Sequence, residues 1–177
     1  MKKNQIVEFK TSKGNFVVKL YGKINPVTVN NFIENVKKDI YKNKRFYKII
    51  NFPQVKLIHS GIYPENNYYK EENQNLYKLR RKIPLEINFK KEIEPEYNNQ
   101  IVDPSKIINL TNFFEKGSLA MVRSGERNSS STEFFFVTNK FPELDGRYSI
   151  FGKVVKGIEI LQKIDKEDLI YKIIIPD

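Results

Sequence analysis

The chain has 177 residues, 40% hydrophobic and 13% aromatic, which is enough to fill one core without a cofactor. It has no cysteine and one histidine, which excludes disulfides, thiolate chemistry and a histidine-based metal cluster; no apolar run approaches the length of a membrane span. The formal charge of +10 would attract nucleic acid, but the lysines are scattered and no stacking motif accompanies them, so no dedicated nucleic-acid site is expected. One domain over residues 1–177 is expected, with no metal and no cofactor. Met1 to Gln5 carries positive charge with no apolar stretch after it, so the expected location is the cytoplasm. A lumenal or periplasmic destination stays open if a targeting segment belongs upstream of Met1.

Residues Ile6 to Phe9 and Asn15 to Tyr21 alternate apolar and polar side chains around the turn-forming Thr11-Ser12-Lys13-Gly14, which predicts an opening hairpin. Asn25-Pro26 predicts a helix start, with asparagine as the cap and proline at the first helical position. Val29, Phe32, Ile33 and Val36 form its apolar stripe. Lys44 to Ile50 reads as a short strand, and Leu57-Ile58-His59-Ser60-Gly61 follows it. From Tyr63 to Asn112 the chain is polar with little periodicity, apart from a strand signal at Arg80 to Ile87. An insertion of this length, roughly 65–112, predicts a packed excursion or a surface for a protein partner.

Gly117 to Val155 is the most informative stretch. A strand at Gly117 to Val122 precedes a polar loop, Arg123 to Ser131, and then Thr132-Glu133-Phe134-Phe135-Phe136-Val137, too apolar to be solvated on both faces. Leu144-Asp145-Gly146 signals a turn before the strand Ser149 to Val155. An amphipathic helix from Gly157 to Ile164, with Ile158 and Leu161 inward, and an apolar strand from Ile170 complete the pattern.

In this order the pieces resemble the cyclophilins. Asn25-Pro26-Val27-Thr28-Val29-Asn30-Asn31-Phe32, Phe46-Tyr47-Lys48-Ile49-Ile50, Leu57-Ile58-His59-Ser60-Gly61, Met121, Thr132-Glu133-Phe134-Phe135-Phe136, Leu144-Asp145-Gly146 and Phe151-Gly152-Lys153-Val154 each have a counterpart in that family. The Ile83-Pro84-Leu85-Glu86-Ile87 segment with its long insertion is similar to a cyanobacterial and thylakoid-lumen subgroup. The resemblance implies an all-β fold: a closed eight-stranded antiparallel barrel, capped by two helices and carrying a long insertion. It also implies peptidyl-prolyl cis-trans isomerase activity on proline-containing segments of client proteins.

Carried over residue by residue, the resemblance makes Lys48 the catalytic residue, in place of the family's arginine. Phe135, Leu144 and Leu57 would grip the proline ring, with Phe46 or Phe52 nearby. His59 and Glu133 replace two substrate-contacting glutamines, Val122 and Arg123 take the backbone-binding positions, and Tyr148 replaces a rim histidine. Lysine keeps the charge but lacks the planar fork of arginine, so weak activity is expected. Reduced sensitivity to cyclosporin follows from the same changes. The alternative is a non-catalytic binding or chaperone module using the groove or the insertion. Without the resemblance, strand alternation alone would bury one or two of Phe134 to Phe136, and Lys48 would be a solvated strand lysine.

Overall fold

Alternation builds the first two strands. β1 (Gln5–Thr11) and β2 (Gly14–Leu20) pair from Gln5↔Leu20 to Thr11↔Gly14, and Val7, Phe9, Phe16, Val18 and Leu20 point inward. The computed structural model describes residues 4–62 and 81–176. The expectations made for 63–80, including Arg80 in the strand signal, lie outside the described residues.

Among the described residues the remaining strands are β3 (Lys44–Arg45), β4 (Lys48–Asn51), β5 (Lys56–Ser60), β6 (Glu86–Ile87), β7 (Glu96–Tyr97), β8 (Ser118–Met121), β9 (Phe134–Val137), β10 (Ile150–Lys156) and β11 (Leu169–Ile174). Among the described residues nine strands form one antiparallel sheet in the order β3-β11-β1-β2-β10-β8-β9-β5-β4, while β6 and β7 form a separate pair. The two edges, β3 and β4, are halves of one segment, so the sheet curls until its ends meet in a single stretch of chain. Counting those halves as one leaves the eight strands expected. The predicted continuous strand over 44–50 is therefore broken. Pairing passes from β11 to β5 across Phe46-Tyr47, and Phe46 turns inward.

Among the described residues three α-helices accompany the sheet: α1 (Pro26–Lys37), α2 (Pro104–Ile107) and α3 (Ile158–Lys163). α1 lays Val29, Phe32, Ile33 and Val36 on the core, and α3 contributes Leu161. Inside the curl the packing is aromatic. Phe9 stacks on Phe16 with centroids 4.8 Å apart, and Phe134 and Phe136 meet Phe9 edge-on at 6.0 and 5.5 Å.

The cap of α1 differs from expectation. Asn25 makes no side-chain cap; the carboxylate of Glu86, buried to 1% exposure, does that work. Its Oε1 accepts from Val27 N at 3.0 Å, and its Oε2 accepts from Thr28 N at 2.8 Å and Thr28 Oγ1 at 2.6 Å. A carboxylate suits the positive end of a helix, and these bonds satisfy donors that no helical carbonyl can reach. Asn25 Nδ2 instead donates to the Glu86 carbonyl at 3.1 Å, and Glu86 N donates to Ser149 Oγ at 2.8 Å. The Ile-Pro-Leu-Glu-Ile segment is thereby stitched to the helix and to the start of β10.

Beyond Ile87 the described part of the insertion is a packed excursion with a small core of its own, Leu85, Ile87, Ile101 and Leu110, backed by Phe89, Ile107 and Phe113. It crosses the barrel closely at Gly146, where Ile101 N donates to the Gly146 carbonyl at 2.9 Å. Any side chain at Gly146 would meet the Ile101 carbonyl, and its φ of 75° also favours glycine. Replacing Glu86 with alanine removes the cap and strands the donors of Val27 and Thr28. We expect a loss of about 2–3 kcal/mol in urea unfolding, and about half that for Glu86→Gln, which keeps one acceptor. A change below about 0.5 kcal/mol in Glu86→Ala would show that the cap contributes little.

Candidate active site on the outer face of the sheet

Strand alternation sends every second side chain of β4, β5, β9 and β8 away from the aromatic interior. Ile49, Ile58, Phe134, Phe136 and Leu119 belong to the inner core. Their neighbours line up outside. Lys48 pairs with His59, His59 with Phe135, Phe135 with Ala120 and Ala120 with Ile150, so one cross-strand row holds Lys48, His59 and Phe135 side by side. The next row, Ile50, Leu57 and Val137, is apolar.

Ala120 and Phe114 belong to the same outer cluster as Phe135. The Phe135 ring stacks with His59 at 5.3 Å and with Phe114 at 5.7 Å, and Tyr148 meets it edge-on at 5.3 Å. Phe135 retains only 2% exposure. Val55, Leu57, Val137 and Ile150 complete this second cluster, with Val122, Leu144 and Tyr148 partly buried against it. Phe52 lies at its margin, 44% exposed, with its ring 4.9 Å from Phe141. The residues preceding β5 form a hairpin turn closed by Phe52 N donating to the Val55 carbonyl at 2.9 Å.

The polar groups divide between the two sides. Lys48 is exposed, whereas His59 beside it is buried, and its Nδ1 has no hydrogen-bond partner among the described residues. Burial and, after it, the charge of Lys48 push the His59 pKa down to about 4, although a hydrogen bond with the Lys48 backbone opposes them. His59 is therefore neutral at pH 7. Glu133 accepts from the Tyr47 hydroxyl at 2.7 Å. On the opposite rim Arg123 lies over the Tyr148 ring at 5.1 Å, with Nε donating to the Arg147 carbonyl at 2.8 Å and Nη2 to Gln100 Oε1 at 2.6 Å.

The structure thus gathers Lys48, Leu57, His59, Val122, Arg123, Glu133, Phe135, Leu144 and Tyr148 on and around one outer surface. Phe46 is not among them. It is fully buried in the inner core, because the break between β3 and β4 turns it into the barrel. Sequence reasoning missed Phe114, which lies just beyond the polar stretch and before the first strand of the informative segment, and Gln100, whose type and surroundings carry no signal. A separate opening of about 450 Å³, lined by Phe52, Lys56, Lys116, Asn139 and Gln162 among others, lacks the ring cluster.

The barrel agrees with the comparison to known proteins. The sequence profile of the family described as cyclophilin type peptidyl-prolyl cis-trans isomerase/CLD matches residues 6–173, and the chain belongs to that family. A peptidyl-prolyl cis-trans isomerase of Acinetobacter baylyi is 28% identical over 167 residues, covering 91% of this chain and 72% of its own. A Synechocystis protein named for the thylakoid-lumen isomerases is 29% identical over 96% of this chain, which spans 46% of that protein. Among solved structures, a cyclophilin type isomerase of Cryptosporidium parvum superposes with a TM-score of 0.66 at 22% identity, covering 99% of both chains. The same protein has been solved in the presence of the dipeptide Ala-Pro, with a TM-score of 0.65 to this chain.

The state of His59 has a consequence for stability. Unfolded, the imidazole takes up its proton near pH 6.5; folded, it does so only near 4, so the unfolded chain binds more protons between these values. The contribution is complete above pH 6.5 and is lost as the pH falls toward 4, reaching on the order of 3 kcal/mol. Urea unfolding at pH 7 and pH 4.5 should therefore show a loss in wild type about 2 kcal/mol greater than in His59→Gln. Equal losses would place the histidine in water.

Proposed function

We propose that the chain catalyses cis-trans isomerisation of peptide bonds preceding proline, slowly, in the row formed by Lys48, His59 and Phe135. The observation that carries this reading is the register that sets an exposed cation and an apolar ring in one row on one face, with His59 between them. The reaction needs no nucleophile and no proton transfer. Its barrier of about 18–20 kcal/mol comes from amide resonance, so an enzyme gains by binding the twisted amide better than the planar one. In the twisted state the prolyl nitrogen is pyramidal and basic. A donor aimed at it stabilises that state, and a dry apolar contact with the proline ring holds the bond in place.

Lys48 is that donor, and Phe135 with Leu57 and Leu144 is the contact. His59, neutral, adds an apolar flank and an unused acceptor without a second positive charge. A lysine ammonium is a rotatable point charge, so it holds the nitrogen less tightly than a guanidinium fork would. Slow turnover follows. The Ala-Pro dipeptide present with the Cryptosporidium protein supports a ligand of the X-Pro class.

One observation favours a second reading, a module that binds without turning over. Phe135 is covered by His59, Phe114 and Tyr148, so the ring meant to hold proline offers little free surface. Exchange NMR on a short X-Pro peptide separates the two readings, since it reports binding and interconversion in one sample. The catalytic reading expects Lys48→Ala to slow catalysed exchange by at least about tenfold with binding within about twofold, and Lys48→Arg to raise it above wild type. Phe135→Ala should weaken binding. Peptide binding through Phe135 with no accelerated exchange in wild type or in Lys48→Arg would leave only the binding module.

A further inference from the structure

The cover over Phe135 is itself held in place, and the hold comes from the insertion. Tyr148 meets both Phe135 and Phe114 edge-on, at 5.3 and 6.3 Å, so its ring closes the cluster from the side. Above it lies the Arg123 guanidinium, 5.1 Å from the ring centroid. That guanidinium is fixed in three directions: to the Arg147 carbonyl at 2.8 Å, the Ser124 carbonyl at 3.1 Å and Gln100 Oε1 at 2.6 Å. Of these partners only Gln100 belongs to the insertion.

Gln100 is not a loose neighbour. The next residue, Ile101, is buried in the insertion's own core and donates its N–H to the Gly146 carbonyl at 2.9 Å, two residues from Tyr148. On the other side Arg127 Nη1 donates to the Asn98 carbonyl at 3.3 Å. Residues 98–101 are thus anchored both to the loop bearing Arg123 and to the turn bearing Tyr148. A side chain pinned to this degree restrains its contacts.

We infer that Gln100 is a positioning residue of the groove: through Arg123 it fixes Tyr148 over Phe135 and so limits the size of the group the groove admits. The inference rests on the reading that this groove holds proline, and it names the part of the chain that sets access. The ring of a bound proline must displace Tyr148, which requires the guanidinium above it to shift. Each contact that fixes Arg123 therefore weakens binding in proportion to its preference for the closed arrangement. Small rings fare better than large ones, because they need a smaller displacement.

Two measurements test this on the full chain. The first needs no ligand: relaxation of the Phe135 ring protons by a soluble paramagnetic probe in wild type, Gln100→Ala and Arg123→Ala. Both variants should relax faster than wild type, with thermal midpoints within a few degrees of it. The second is titration with a blocked Ala-Pro dipeptide, which Gln100→Ala, whose Arg123 is kept, should bind about fivefold more tightly than wild type. Unchanged shielding of Phe135 in both variants would overturn the assignment, as would weaker dipeptide binding in Gln100→Ala. If Phe135 becomes exposed in the variants yet none of the proteins binds the dipeptide, the positioning role stands and the isomerase reading fails.

Discussion

Three consecutive phenylalanines on β9 impose the constraint on which both halves of the molecule depend. In an extended strand their rings must alternate, so Phe134 and Phe136 enter the aromatic interior while Phe135 points out. Interior packing fixes the register through many ring contacts. A slip of one residue in β9 would exchange its own inner and outer sets, turning Phe134 and Phe136 out of the core and Phe135 into it. The placement of the outer row is thus a by-product of filling the core. The site needs no folding determinant of its own.

The second constraint is the long-range cap. Glu86 lies far along the chain from α1, yet its carboxylate receives the helix's free amides and its own amide is bonded to Ser149, beside Tyr148. Insertion, helix and groove rim therefore share a hydrogen-bonded corner. This explains how a polar excursion with little periodicity stays docked against the barrel, and why Gln100 has a fixed place from which to act on Arg123. The family's reaction requires an apolar grip and one oriented donor. On the proposed function the grip in this chain is crowded by three rings, and the donor would be Lys48, on the exposed end of the row.

Much of this was legible in the sequence where short-range periodicity carries the information. The opening hairpin, the stripe of α1 and the inward Leu161 of α3 all follow from alternation or helical spacing. Legibility failed where a partner is distant in sequence. Asn25 has the chemistry of a cap, but the better acceptor is a carboxylate brought in by the fold, and Asn25 donates to that residue's carbonyl instead. Phe46 stands in a motif with Lys48, yet strand closure turns it to the opposite face. Phe114 reaches the cluster through contacts with Phe135 and Tyr148 that spacing along one strand does not reveal. The grouping of Lys48, His59 and Phe135 came from family resemblance and is explained by register, which no single strand discloses.

The central claim is that ligand recognition belongs to the outer row, and mapping amide and ring chemical shifts during titration with a blocked Ala-Pro dipeptide tests it most directly. The account predicts that the saturable changes centre on Lys48, His59, Phe135 and Tyr148. Changes centred instead on the opening beside Phe52, Lys56, Lys116 and Asn139, with the row unmoved, would contradict it.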